Sequence, residues 1–347
     1  MDILILSIFA IVVAMSFAED YLPSWEKMLV LFMIGIALIC ISAFKPMTTA
    51  DAESYEYNYY NNENFIVEIT TEPTFIYLSR FYISQGLGIF FIFLTYALIA
   101  IPVKLIALWK ASPYVFTAMI VYMGVYYPLH DVVQIRCGVA SSFLLMSIIP
   151  LAKRQYYKAT FLTIIAALFH YSALAFLPVL FIGNMKVGKY WKILLGISIP
   201  ICLALYLMGK GAVSLIPSAL IEGKLDYYKE TSEAGDWLIY VPYKQITFLA
   251  EFVILYVFLY FYDTIEKHCI YAPILIKILV IEMGFLTMFS EIPVLGGRLH
   301  DLFGIFNILV FTCCMYCIKP KYAVRIGITL LSLTNYLIYM SNHLYFK

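Results

Sequence analysis

The chain has 347 residues, of which 63% are hydrophobic and only 13% charged, and its formal net charge is +1. A soluble domain has about one quarter charged residues, and a soluble fold of this size could not remove so much apolar surface from water. The composition excludes a soluble enzyme, a nucleic-acid-binding protein and a secreted disulfide scaffold. Since about 20 apolar residues span a bilayer, we expect an all-α polytopic membrane protein with about a dozen spans.

Apolar runs predict twelve transmembrane helices within one integral membrane domain that covers residues 1–347. The first run, at 3–18, has no basic residue before it, so we interpret it as a span and not as a signal peptide. The runs at 157–169 and 171–183 are short and have basic flanks, which indicates a hairpin of two short helices or a re-entrant pair. The other runs lie at about 28–44, 87–109, 113–128, 132–152, 192–208, 242–262, 270–289, 302–318 and 324–341.

The distribution of Lys and Arg predicts how the chain is oriented in the membrane. Basic residues concentrate in short connections such as 153–158, 184–192 and 319–325. Two long loops, at about 45–86 and 209–241, carry most of the acidic residues outside the apolar runs. We therefore expect the short loops to be cytoplasmic, and the long loops and both termini to be external.

Three of the arginines do not fit this positive-inside pattern. Arg80, Arg136 and Arg298 map to the external face, whereas Arg154 and Arg325 map to the cytoplasmic face. One interpretation is three separate ion pairs with external carboxylates. The other is a convergent anion site, because guanidinium groups bind phosphate bidentately and stay charged at any pH.

The segment 128–136 reads Pro-Leu-His-Asp-Val-Val-Gln-Ile-Arg. Pro128 is predicted to end one span, and Asp131 with Gln134 three residues later fits a capping box that opens the next helix. Arg136 then lies about one turn inside that helix, where its head group needs an anion or the water of a cavity.

Two histidines lie at predicted external turns. His170, between the two short runs, is either a satisfied core histidine or a proton acceptor near the arginines. In the stretch 296–301, paired glycines predict a flexible turn that carries Arg298 and His300, with Asp301 as the N-cap of the next span.

Other polar residues carry less information. Glu251 and Glu282 are predicted inside spans, and Lys277 lies near Glu282, so these charges either satisfy one another or form a proton path. The cysteines and histidines lack the paired spacing of a structural zinc site. No glycine-rich phosphate loop or nucleotide fingerprint occurs, so we expect neither a metal nor a cofactor.

Four motifs follow one another along the chain. They are Asp51-x3-Tyr55-x3-Tyr59, Glu72-Pro-Thr-Phe75, Gln134-Ile-Arg136 and Leu168-Phe-His170-Tyr-Ser172-Ala-Leu174. Their order and spacing, over about residues 51–182, resemble the EpsG-like branch of the Wzy polysaccharide polymerases. Cys137 departs from that pattern, since the family often has a polar residue there.

The resemblance implies a metal-independent glycosyltransferase with a GT-C-like architecture. Such enzymes join oligosaccharide repeat units carried on undecaprenyl diphosphate at the external face of the cytoplasmic membrane. The implied partners are the lipid-linked donor and acceptor and membrane lipids, with a chain-length regulator protein as a further candidate and no nucleic acid.

Together, the residues and the resemblance indicate a catalytic set and a substrate-binding set. The catalytic set is Glu72, Arg136, His170 and Arg298. The substrate-binding set is Asp51, Tyr55, Tyr77, Arg80, Gln134 and His300. Arginines can stabilise a diphosphate leaving group by preorganised electrostatics, and the general base is left open among His170, His300 and Glu72.

Two other classes of function are alternatives. A flippase or another transporter of lipid-linked oligosaccharide would show repeat symmetry and helix breaks near the bilayer midplane. A membrane acyltransferase would show a histidine–acid pair reached from the cytoplasm, whereas the candidate histidines map outside.

The predicted topology can be tested by labelling single cysteines from either side of the membrane. We expect labels at Asp51 and Glu233 to react from outside, and labels at Lys153 and Lys321 to react from the cytoplasm. Cytoplasmic labelling at His170 would contradict the hairpin and would remove His170 from a site shared with Arg136.

Overall fold

The computed structural model describes residues 2–49, 51–208, 210–211, 246–289 and 293–345. These residues form helices and no strand, which confirms the all-α prediction. Except for residues 210 and 211, the predicted external loop at 209–241 lies outside the described residues.

The chain divides into two compact units, and the prediction of a single membrane domain stays a prediction. The first unit comprises residues 1–183 and 318–347. Its helices are α1 (Asp2–Ala18), α2 (Ser24–Ala43), α3 (Ala52–Tyr60), α4 (Phe65–Thr70), α5 (Pro73–Ser84), α6 (Phe90–Ala111), α7 (Val115–Val121), a π-helix (Tyr122–Val133), α8 (Ile135–Ala152), α9 (Tyr156–Phe169), a 3-10 helix (Tyr171–Phe176), α10 (Leu177–Ile182) and α17 (Lys321–Tyr345).

The second unit comprises residues 184–317. Its helices within the described ranges are α11 (Lys189–Leu207), α12 (Ile246–Tyr260), α13 (Tyr262–His268), α14 (Ala272–Met288), α15 (Pro293–Gly304), α16 (Asn307–Cys313) and a 3-10 helix (Cys314–Tyr316).

Five described helices, α2, α6, α8, α11 and α17, are long and apolar enough to cross a membrane. Two bent pairs raise the number to seven if each pair forms one span: α12 with α13, at 82°, and α15 with α16 and its 3-10 extension, at 51°. The structure therefore supports a helical membrane protein with five to seven candidate spans. The short pair at 157–169 and 171–183 is present as α9 followed by the 3-10 helix and α10.

The predicted loop at 45–86 contains three short helices, α3, α4 and α5. The side chain of Asn64 caps α4 by accepting a hydrogen bond from the backbone N–H of Ile66 at 2.9 Å. Pro73 occupies the first turn of α5, where a backbone N–H would have no acceptor within the helix, so proline breaks no helical hydrogen bond there. Glu72 precedes it in an extended conformation and begins the helix.

The chain continues helically through Pro128, which corrects the prediction that a span ends there. Pro128 lies inside the π-helix, which ends where the N–H of Gln134 bonds to the carbonyl of Leu129. Gln134, not Asp131, is the N-cap residue of α8, and its side chain caps nothing. Gly138 allows the close contact at this turn, because a Cβ there would lie 2.4 Å from the carbonyl oxygen of His130.

Asp131 forms a fully buried ion pair instead of a helix cap. Both of its carboxylate oxygens accept hydrogen bonds from the Lys104 ammonium group at 2.7 Å, and the Tyr122 hydroxyl donates a third at 2.8 Å. The side chains of Lys104 and Asp131 have no exposed surface. This pair connects α6 to the π-helix and so fixes the start of α8.

The stretch around Gly296 and Gly297 also differs from its prediction. The sequence predicts a turn there, but α15 runs through both glycines. Asp301 consequently lies within α15 and is not the N-cap of a following helix.

We expect the buried pair to dominate the stability of this part of the first unit. Lys104→Met alone leaves Asp131 charged and unpaired, so it should lower the free energy of unfolding by about 3–5 kcal/mol, whereas Lys104→Met with Asp131→Leu should recover most of that loss. Thermal unfolding in detergent measures both. The exposed Lys192–Asp263 pair is the control, since Lys192→Met should cost about 1 kcal/mol or less. Equal losses in the single and double variants would contradict this account.

Candidate functional site

Glu72 is a buried carboxylate that joins two basic side chains from different helices. Its Oε2 accepts a hydrogen bond from Arg136 Nη1 at 2.5 Å, and its Oε1 lies 2.7 Å from His170 Nδ1. These three residues, called here the Glu72 bridge, come from the start of α5, the first turn of α8 and the end of α9. The structure thus brings together three of the four predicted catalytic residues.

Local structure explains how each side chain reaches the bridge. The break at Gln134 starts α8 afresh and places Arg136 in its first turn. His170 has an extended backbone, with φ −157° and ψ 114°, and separates α9 from the 3-10 helix. The Thr74 hydroxyl donates to the carbonyl of Leu168 at 2.8 Å and so ties α5 to the end of α9.

Two aromatic rings contact the Arg136 guanidinium group. Its Cζ lies 5.4 Å from the centre of the Tyr55 ring and 5.9 Å from that of the Phe75 ring. Both rings belong to a buried aromatic cluster that also includes Phe93 and Tyr96. The rings hold the guanidinium through cation–π contacts, so Arg136 is fixed in place before any ligand binds.

Arg136 and His170 keep part of their surface free, whereas Glu72 does not. The exposed side-chain fractions are 21% for Arg136 and 17% for His170, against 5% for Glu72. Arg136 Nε is itself buried and has no hydrogen-bond partner among the described residues, so the exposed surface of Arg136 lies elsewhere on its side chain. The two basic groups can therefore contact a ligand on their exposed surface, while the buried Glu72 carboxylate fixes both of them through hydrogen bonds.

The charge state of Glu72 argues against its role as a base. Burial raises the pKa of Glu72, but the hydrogen bond from His170 and the charge of Arg136 outweigh burial and lower it to about 2. Glu72 stays ionised at neutral pH and is a weak proton acceptor. Its ionised oxygen favours the His170 tautomer with a proton on Nδ1, which leaves Nε2 as the acceptor nitrogen.

Lys45 is a further cation beside the site that the sequence analysis did not single out. Its ammonium group donates to the carbonyl of Val132 at 2.8 Å and lies 4.2 Å from the Phe93 ring and 5.2 Å from the Tyr55 ring. Burial lowers the pKa of Lys45 to about 7, although the charge of Asp51 acts in the opposite direction. Lys45 and Arg136 thus share one aromatic neighbour, Tyr55.

Comparisons with known proteins identify the family. The model of the EpsG family matches residues 28–347, nearly the whole chain. The chain belongs to the EpsG family. This membership indicates a polysaccharide-polymerase-like role in polysaccharide biosynthesis. The comparisons with curated proteins and with solved structures found no match.

The bridge does not include three other predicted residues of this EpsG-family chain in the first unit, Arg80, Tyr77 and Asp51, whereas the predicted Tyr55 is buried beside it. Arg80 donates to Glu68 at 3.1 Å and to the carbonyl of Asn62 at 3.1 Å, which is the local ion pair that the alternative interpretation expected. Tyr77 is 68% exposed. Asp51 is the N-cap residue of α3, without a side-chain cap bond.

Arg298 and His300 belong to α15 in the second unit, and convergence of the three arginines stays a prediction. The side chain of Arg298 is exposed, whereas His300 is buried. His300 Nε2 lies 3.0 Å from Glu251 Oε2 and 3.6 Å from Glu282 Oε1. Glu251 and Glu282 therefore pair with His300 and not with Lys277, which corrects the sequence interpretation.

We expect the Glu72 bridge to stabilise the EpsG-family chain in a pH-dependent way. Because folding lowers the pKa of Glu72 from 4.5 to about 2, its stabilisation of roughly 3 kcal/mol should be complete above about pH 5 and should disappear as the pH falls through about 2. Wild-type protein should exceed Glu72→Gln in the free energy of unfolding by that amount at pH 7, and the gap should narrow to roughly half by pH 3.

Glu68→Gln is the matched control for this measurement, because it removes an exposed pair with Arg80. Its cost should stay below about 1 kcal/mol at pH 7. A gap between wild type and Glu72→Gln that does not change from pH 7 to pH 3 would contradict the assignment.

Proposed function

We infer that this EpsG-family protein is a glycosyltransferase that polymerises oligosaccharide repeat units carried on undecaprenyl diphosphate. The observation that carries the proposal is the Glu72 bridge, in which one buried carboxylate holds a guanidinium and an imidazole side by side. The reaction needs a cation for the diphosphate and a base for the acceptor hydroxyl, and these are the two groups that the bridge presents.

Arg136 stabilises the diphosphate leaving group. Glu72 takes a hydrogen bond from Nη1 of the guanidinium fork, and the 21% of the Arg136 side chain that is exposed is where phosphate oxygens would contact the rest of the fork. As the bond between the anomeric carbon and the diphosphate oxygen breaks, negative charge grows on that oxygen. A fixed guanidinium lowers the energy of this state without a metal.

His170 accepts the proton of the acceptor hydroxyl. The hydroxyl oxygen attacks the anomeric carbon of the donor sugar, its proton passes to His170 Nε2, and undecaprenyl diphosphate departs with the bonding electron pair. Glu72 stays ionised, orients the imidazole and stabilises the imidazolium that forms. Glu72 is therefore a positioning residue in this proposal and not the base.

The remaining parts of the proposal concern architecture and location. The chain has a GT-C-like arrangement of about twelve spans in the cytoplasmic membrane, and the site faces outward. Its partners are the lipid-linked donor and acceptor and membrane lipids, with a chain-length regulator as a candidate partner. Arg298 adds a second cation to the diphosphate, and Asp51, Tyr55, Tyr77, Arg80 and Gln134 contribute to sugar and lipid binding, whereas the buried His300 takes no part in the transfer.

A second candidate function is transport of the lipid-linked oligosaccharide. The bend of 51° between α15 and α16, beside the buried Glu251, Glu282 and His300, favours it, because transporters place broken helices and ionisable groups at their binding sites. In liposomes, a polymerase lengthens the chains, whereas a transporter moves single units across the bilayer.

We expect two variants to disable polymerisation in proteoliposomes supplied with purified lipid-linked repeat units. His170→Gln removes the base and should lower the initial rate about 10²–10⁴-fold. Arg136→Lys keeps the charge but loses the fork, and should lower the rate about 10²–10³-fold. The measurement is chain length on a polysaccharide gel against time.

The controls repeat the same exchanges at positions outside the site. His268→Gln and Arg154→Lys should polymerise within about twofold of wild type. Normal chain extension by folded His170→Gln would remove His170 from the mechanism. Translocation without extension by the wild-type protein would replace the polymerase proposal with transport.

A further inference from the structure

The second unit contains a buried cluster of ligand-type side chains that the proposed glycosyl transfer does not use. Glu251 lies on α12, Glu282 on α14 and His300 on α15, and Asn307 is the first residue of α16. All four are buried, with exposed fractions of 3%, 0%, 6% and 0% in that order. One ligand atom from each of the two glutamates and the histidine lies within 4.8 Å of the other two.

Two carboxylates in one buried site need positive charge. The ion pairs of Glu251 and Glu282 among the described residues are both with His300, at 3.0 and 3.6 Å. The Asn307 amide bridges the same carboxylates, at 3.0 Å to Glu251 Oε1 and 2.9 Å to Glu282 Oε1. One imidazole offsets at most one of the two negative charges, and burial makes a remaining charge costly.

The cluster also has unused ligand atoms. Glu282 Oε2 and Asn307 Oδ1 are buried and have no hydrogen-bond partner in the part of the chain that the structure describes. A 180° flip of an asparagine amide exchanges its oxygen and nitrogen with little change in the shape of the side chain. This flip would direct Asn307 Oδ1 at the point between the carboxylates. Two carboxylates, one imidazole and one amide oxygen form a complete ligand set for a small cation.

We propose that Glu251, Glu282, His300 and Asn307 bind one divalent zinc-type cation within the second unit. Zinc binds carboxylate oxygen and imidazole nitrogen at about 2.0–2.2 Å, which separates the ligands of a tetrahedral site by about 3.4 Å. The separations of 3.0 and 3.6 Å between His300 and the glutamates bracket that value. A dication with two carboxylates and a neutral imidazole gives a site without net charge.

The surroundings of His300 fit the same assignment. Asp301 Oδ1 lies 3.7 Å from the second ring nitrogen of His300, Nδ1. At this distance Nδ1 makes no hydrogen bond, and it is buried without a partner among the described residues, but Asp301 is the neighbouring carboxylate that could take the role such groups commonly have beside metal-binding histidines. The cation would join α12, α14 and α15 to α16, across the bend of 51° that follows Gly304. It is therefore a structural site, independent of the proposed transfer reaction.

Metal analysis of the full chain in detergent tests this proposal without an activity assay. Protein purified with a tag that binds no metal, equilibrated with Zn²⁺ and desalted, should carry about one zinc per chain by mass spectrometry and should unfold at a higher temperature than with EDTA. Glu282→Gln and His300→Gln should each weaken zinc binding about 10-fold or more. His268→Gln, an exposed histidine on α13 of the same unit, should keep wild-type binding.

X-ray absorption on the zinc-loaded wild-type protein keeps the test decisive if a variant does not fold. Ligands at about 2.0–2.1 Å, all nitrogen or oxygen, would support the assignment, whereas sulfur at about 2.3 Å would move the metal to cysteines and overturn it. Folded wild-type protein that retains no zinc, or equal zinc binding in wild type and Glu282→Gln, would also overturn it.

Discussion

A carboxylate buried among aromatic side chains is stable only with cationic or hydrogen-bonding partners, and this constraint determines how the candidate site is built. Glu72 meets it through Arg136 on one oxygen and His170 on the other. The same two contacts connect α5, α8 and α9, fix both basic groups and keep Glu72 ionised. Stability and chemistry therefore depend on one interaction, since removal of Glu72 would leave Arg136 without its partner and His170 without its orientation.

The same requirement explains the other buried charges of the chain. Lys104 and Asp131 form a one-to-one ion pair in which both carboxylate oxygens accept from the ammonium group, and the Tyr122 hydroxyl donates a third hydrogen bond to Asp131. In the other cluster, the two carboxylates of Glu251 and Glu282 face a single imidazole, that of His300, so negative charge exceeds positive charge. Glu282 Oε2 also has no hydrogen-bond partner among the described residues. The first group is thus a structural ion pair, and the second has the composition of a binding site. A count of donors, acceptors and charges separates the two cases, although both are fully buried.

The helical membrane class and the individual residues of the Glu72 bridge could be predicted from the sequence, because composition and short motifs are local properties. The contacts between distant residues could not. The spacing of Asp131 and Gln134 fits a capping box, yet Asp131 pairs with Lys104. Likewise, Glu282 has Lys277 nearby in sequence, yet it contacts His300 and Asn307. Paired glycines favour a turn, yet α15 is continuous through Gly296, where a Cβ would lie 3.1 Å from the carbonyl oxygen of Phe285.

The proposed mechanism requires that Arg136, held by Glu72, binds the diphosphate of the lipid carrier. A cryo-electron microscopy structure of the protein in nanodiscs with undecaprenyl diphosphate would show this contact. We expect diphosphate density within hydrogen-bond distance of the Arg136 guanidinium, with His170 Nε2 facing the same space and the Glu72 contacts intact. Diphosphate bound elsewhere, with Arg136 contacting only Glu72, would contradict it.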